Sequence, residues 1–211
     1  AVVTAGKLWT WGSGGSGRTG HSNTTNYSSP VQVGTLTTWA SVRGSGATTL
    51  AIKTDGTLWA WGNNEQGRLG DGTTTNRSSP VQVGDLTNWA SATIGSSGIS
   101  SFAINTDGEL FSWGRSNNGA LGHGDTVNRS SPVQVGTLTD WSKIHVSAQY
   151  SIHGIKTDGT LWAWGQGQHG RLALNDTNDR SSPVQVGSQT DWARVVPGSG
   201  SDSGATLGIK T

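Results

Sequence analysis

The chain repeats itself, and the repeat constrains its fold more than any other feature. The string Ser-Ser-Pro-Val-Gln-Val-Gly occurs at Ser28–Gly34, Ser78–Gly84, Ser130–Gly136 and Ser181–Gly187. A Trp-Gly pair recurs at Trp11, Trp61, Trp113 and Trp164, and another tryptophan at Trp39, Trp89, Trp141 and Trp192. A threonine opens a turn at Thr4, Thr54, Thr106 and Thr157 and stands again at Thr211. From that threonine to Trp-Gly is 7 residues, from Trp-Gly to proline 19, and from proline to the next tryptophan 9, in all four copies. Only the step from that tryptophan to the following threonine varies: 15, 17, 16 and 19 residues. One extra residue in a paired strand would turn every later side chain to the other face, whereas a surface loop absorbs it. The variable interval is therefore expected to hold a loop at an open rim.

Within one copy, Leu50–Thr54 and Thr57–Trp61 flank Asp55-Gly56. That pair predicts a two-residue hairpin turn with both residues at positive φ. Val81-Gln82-Val83 alternates like a half-buried strand, and Pro80 suits a first strand position, where its missing N–H costs little. Trp89–Ile94 reads as a fourth, edge-like strand, and no window shows a capped helical period. The pattern predicts an all-β chain: β-propeller blades of four antiparallel strands, in four repeats of about 50–54 residues. The chain reads as a single domain over 1–211, with repeat phases 4–53, 54–105, 106–156 and 157–211. Hydrophobic content of 31% is low, but a net charge of +1 and 11 tryptophans separate the chain from disordered sequences.

Composition narrows the function classes. With 14 basic and 13 acidic residues and no basic cluster, nucleic acid is not an expected partner. No apolar run approaches the roughly 20 residues that span a bilayer, so membrane insertion is not expected, and no signal segment is visible. Cysteine is absent, which removes disulfides and thiolate metal sites; methionine is absent too, suggesting a processed product or part of a longer polypeptide. No cofactor is expected. The glycine-rich run Gly12–Gly17 lacks the Lys-Ser/Thr and the helix that a phosphate-cradling loop opens.

The run at 50–62, Leu-Ala-Ile-Lys-Thr-Asp-Gly-Thr-Leu-Trp-Ala-Trp-Gly, followed by Asn64, Gly67, Leu69-Gly70 and Pro80-Val81, resembles the regulator of chromosome condensation repeat family. The resemblance covers essentially the whole chain. It implies a propeller, commonly of seven blades, and for the best-known member guanine-nucleotide exchange on a small GTPase. The chain departs from the pattern where the family has Gln before Leu-Gly, with Arg18, Arg68, Ala120 and Arg171, and it keeps the Asn after Trp-Gly only at Asn64. Four repeats that begin and end in one phase read either as a smaller ring or, the preferred reading, as four blades of a larger one, completed by more chain or by a homo-oligomeric assembly.

Several columns could carry function. Trp11, Trp39, Trp61, Trp89, Trp113, Trp141, Trp164 and Trp192 are expected to form the blade core rather than a glycan surface. Asp55, Asp107 and Asp158 are expected to shape turns. His21, His123, His145, His153 and His169 lack metal-ligand spacing, so no metal site is expected. Arg77, Arg129 and Arg180 are expected to cover apolar edges with solvated heads. Asn26, Asn76 and Asn128 sit in sequons that the repeat itself generates. The loop segments Gly44–Thr48, Gly95–Ser100, Ser147–Tyr150 and Pro197–Ala205 differ among near-identical copies, and loops on rigid scaffolds tend to bind. Arg43, His145, Gln149, Tyr150 and Asp202 are accordingly the candidate binding residues, assigned to variable rim loops. No catalytic residues are assigned. The expected function is a non-enzymatic interaction or adhesion scaffold that binds a protein or glycan. Its Ser, Thr, Gly and Asn content suits a surface-displayed, virion or phage-fibre protein outside the cell. The alternative is regulation of a small GTPase.

Overall fold

The computed structural model describes residues 1–4, 6–95, 100–147, 150–196 and 206–211. Among them, β-strands and single 3-10 turns make up the regular structure. The strands β4 (Trp39–Ser45), β5 (Thr48–Lys53), β6 (Leu58–Gly62) and β7 (Arg77–Gln82) form one antiparallel meander. β8 (Trp89–Ile94), β9 (Ser100–Asn105), β10 (Leu110–Gly114) and β11 (Arg129–Gln134) form a second. β12 (Trp141–Val146), β13 (Ser151–Lys156), β14 (Leu161–Gly165) and β15 (Arg180–Gln185) form a third. β1 (Val2–Thr4), β2 (Lys7–Gly12) and β3 (Tyr27–Gln32) make a three-stranded sheet, and β16 (Trp192–Val196) pairs with β17 (Leu207–Lys210).

The sheets are offset from the sequence copies by two strands. β4 and β5 come from the first copy and β6 and β7 from the second, so each complete sheet is shared between neighbouring copies. The second strand of each complete sheet, β5, β9 or β13, is buried along its whole length. It is covered on both faces, which explains near-continuous apolar runs such as Leu-Ala-Ile. Leu50, Ile52, Leu58 and Ala60 face the next sheet and pack on Trp89, Ala103 and Trp113. Trp39, Ala51 and Trp61 face the previous sheet and pack on Leu8 and Val33. Each tryptophan pair thus reaches one sheet backward, and the core lies between sheets.

Two local devices make this packing possible. A bulge follows the first tryptophan of each first strand, as between Trp39 and Ser41. The extra residue lets Trp39 and Val42 both join the core against the previous sheet. The hairpin between second and third strands is a three-residue loop, not the two-residue turn expected. Gly56 N donates to Lys53 O and Lys53 N to Thr57 O, each at 3.0 Å. Gly56 has φ +76°, whereas Asp55 is not among the left-handed residues. This is a type I turn closed by a glycine bulge, and Asp55 serves as an acceptor for Thr57 N and Oγ1 at 3.0 and 2.6 Å. The turn role assigned to the aspartates stands; the φ assigned to Asp55 does not.

Candidate functional site

The tryptophan columns serve structure, with one exception. Trp61, Trp113 and Trp164 are fully buried. Their indole N–H groups donate to the carbonyls of Arg18, Arg68 and Ala120, one copy back, at 3.1, 3.0 and 2.9 Å. Trp11, assigned to the core from its column, is instead 47% exposed: Trp61 packs on Leu8 and Val33 of the preceding sheet, and among the described residues no sheet stands in that place against Trp11. Trp192 is half-buried against the last cluster.

The repeated polar columns are also absorbed locally. The arginine heads are paired rather than merely solvated: Arg77 to Asp71 at 2.7 Å, Arg129 to Asp125 at 2.9 Å and Arg180 to Asp176 at 2.5 Å. The Arg129 head holds the Asp125 carboxyl down at about 2. Sequon residues Asn26, Asn76 and Asn128 accept from the backbone N–H of Gly14, Asn64 and Ser116 at 2.9, 2.7 and 2.9 Å. His21 and His123 lie 2.9 Å from the hydroxyls of Thr10 and Ser112. Those hydroxyls donate to carbonyls, so each histidine Nε2 must carry the proton. The hydroxyl column could have been paired with the histidine column in sequence: where Ala60 and Ala163 replace the hydroxyls, Asp71 and Leu174 replace the histidines. His169 is exposed in a left-handed turn. Among the described residues no group of three potential ligands could hold a metal.

What remains uncompensated lies on the first strands. Counting from each first tryptophan, the second residue onward is Ser41, Ser91, Lys143 or Arg194, and the fourth is Arg43, Thr93, His145 or Val196. Side chains two apart share a face, and of these Arg43, Ser91, Thr93, Lys143, His145 and Arg194 line a cleft of about 520 Å³ together with Ser142, Phe102 and Ile104. Arg43, Lys143 and Arg194 bring three cations from three sheets, and among the described residues no acidic one lines the cleft. Among the described residues none of the three joins an ion pair. Arg43 donates to Val42 O at 2.9 Å and Lys143 to Ala193 O at 2.8 Å, which satisfies protons but not charge. His145 stands opposite His153 in the β12–β13 register. Burial, then the charges of Arg194 and Lys143, push the His145 imidazole down. His153 is buried and held down at about 4, chiefly by desolvation, while Nε2 meets Arg171 O at 3.1 Å. His145 Nε2 and His153 Nδ1 are buried without a hydrogen-bond partner.

The candidate binding residues therefore divide. Arg43 and His145 meet in one cleft, but on strands β4 and β12 rather than in rim loops, as had been expected. Tyr150 sits in the β12–β13 loop at φ +59° and packs against the core between the second and third complete sheets. Gln149 and Asp202 lie outside the described residues. Lys143 and Arg194 were missed because the search weighed loop length. The signal was in the strand just after the first tryptophan, where a Ser-Thr pair in one copy corresponds to Lys-His and Arg-Val in others.

Antiparallel four-stranded sheets, packed face to face through tryptophans that reach one repeat back, define a propeller-type repeat protein. The Regulator of chromosome condensation (RCC1) repeat matches residues 5–52, 55–99, 107–152 and 158–200. The chain belongs to that family. It is 37% identical over 86 residues to the Arabidopsis thaliana Ultraviolet-B receptor UVR8, covering 40% of this chain and 19% of that protein. It is 32% identical over 120 residues to the Homo sapiens E3 ubiquitin-protein ligase HERC2, covering 54% of this chain and 2% of that protein. Human WBSCR16 superposes with a TM-score of 0.79 at 23% identity, covering 98% of this chain and 54% of that one. Saccharomyces cerevisiae Prp20p superposes with a TM-score of 0.74 at 17% identity, covering 97% and 52%. The chain thus spans about half of those two structures and under a fifth of those two relatives, and the structural likenesses speak for the fold.

Proposed function

We propose that the chain is a non-catalytic, protein-docking regulatory propeller segment whose working surface is the rim where the first strands meet their hairpin loops. One observation carries this reading: in copies otherwise alike, length varies only in the first-to-second-strand loops, and Arg43 and His145 lie just before them on the cleft wall. A scaffold that holds everything else constant can vary such a surface without loss of packing. Protein partners fit the neighbours: Prp20p is described with binding properties to Gsp1p and histones, and Kap60 is bound to Prp20 in another structure. The cleft, being cationic, suits an acidic partner surface and opposes a basic one such as a histone. These relatives favour regulation over the surface-display and adhesion role suggested by composition.

The second reading, guanine-nucleotide exchange on a small GTPase, is favoured by the family and by Prp20p. Both are tested by mixing the chain with Gsp1p and, separately, with a purified small GTPase carrying a fluorescent guanine nucleotide. Complex formation is followed by light scattering and release by fluorescence. A complex that Arg43→Glu with Arg194→Glu dissolves supports docking through the cleft, and accelerated release adds exchange. Neither complex nor release with both probes would contradict the reading.

A further inference from the structure

The cleft has the chemistry of an oxyanion site, whether or not a protein also docks through it. We propose that Arg43, Lys143, His145 and Arg194 bind a phosphate group, the phosphate monoester or free phosphate dianion being the shared chemistry. Two guanidinium groups and an ammonium line one cleft, and among the described residues no acidic side chain lines it with them. Like charges brought together on rigid strands raise each other's energy, and a dianion relieves all three at once. Guanidinium matches the oxygen spacing of phosphate with paired N–H donors. Ser91, Thr93 and Ser142 add hydroxyls on the same walls, and the volume lies within the ~300–1,000 Å³ usual for small-ligand sites.

The contrast with the outer arginines strengthens the assignment. Arg77, Arg129 and Arg180 each have their own aspartate, whereas among the described residues none of Arg43, Lys143 and Arg194 joins an ion pair. His145 contributes a conditional charge. The groups that bear on it are Lys143 on its own strand, Arg194 from β16, His153 from β13 and Arg43 across the cleft, all basic. A bound phosphate offsets them and favours the imidazolium, so His145 adds a proton-coupled gain in affinity that develops below its ordinary value of 6.5, superimposed on the phosphate's own second ionisation, about 6 for a monoester.

Isothermal titration of the chain at constant ionic strength, with inorganic phosphate and with a phosphoserine peptide against chloride, tests this. Saturable phosphate binding is expected, weakened about tenfold by Arg194→Gln or Arg43→Gln and unchanged by Arg129→Gln. His145→Asn should remove the part of the pH dependence that exceeds the phosphate's own titration, while retaining binding. Thermal melts of each variant verify folding. Equal affinity for both probes assigns a free anion, and a much tighter peptide, lost in the same variants, assigns a phosphorylated chain. Phosphate binding no stronger than chloride, or unaffected in folded Arg194→Gln and Arg43→Gln, would overturn the proposal.

Discussion

Gly70 and Trp113 show how one residue ties two copies together. A Cβ on Gly70 would stand 2.6 Å from Trp113 Nε1, and Gly70 has φ +79°. Gly20 meets Trp61 in the same way. At the fourth position of the column stands Ala173, at φ +56° and on the wall of a cleft. Gly70→Ala should therefore cost about 1–3 kcal/mol through overpacking, whereas Ala173→Gly should change stability by less than about 1 kcal/mol, both read by urea denaturation. His153 carries a second residue-scale prediction. Its folded-state value near 4 lies below the 6.5 of an unfolded histidine, so the unfolded chain binds the extra proton. The stability involved is intact above pH 6.5 and is lost as the pH falls toward 4. His153→Leu, matching Leu50 in the column, should flatten that part of the pH–stability profile.

At the scale of elements, the fixed and variable intervals correspond to sheet and loop. The variable step is the connection between first and second strands, 46–47 between β4 and β5, and loop closure grows only slowly with length. Three residues inserted between Ser45 and Gly46 should cost about 1 kcal/mol or less and leave the far-ultraviolet spectrum intact. One residue inserted between Leu58 and Trp61 should abolish the cooperative melt by turning Trp61 out of the core. Strand number and the loop between first and second strands were legible from spacing, because spacing records register; the burial of the second strands along their whole length was not. The Asp-Gly geometry was not: the dipeptide suits both two- and three-residue hairpins, and the bond from Lys53 N to Thr57 O decides between them. The offset of sheets from copies was also invisible, since a periodic sequence does not mark where one sheet ends and the next begins.

At the scale of the whole molecule, copies interlock in several ways. Sheets are shared between copies, tryptophans reach one copy back, and Ser22, Gly72 and Gly124 donate to the carbonyls of Ser78, Ser130 and Ser181 in the next copy at 2.7, 2.8 and 2.7 Å. Repetition builds the frame, and the residues that break repetition on its first strands carry the distinctive chemistry. Arg43 and His145 could be singled out from sequence, but Lys143 and Arg194 required the structure, because only packing shows that strands from different copies face one cleft. The account rests on that convergence. Its most direct test is titration of the isotope-labelled chain with inorganic phosphate, mapping amide shifts by nuclear magnetic resonance. The account predicts saturating shifts concentrated at Arg43, Ser91, Lys143, His145 and Arg194. Shifts centred on Arg77, Arg129 and Arg180, or spread without saturation over the surface, would contradict it.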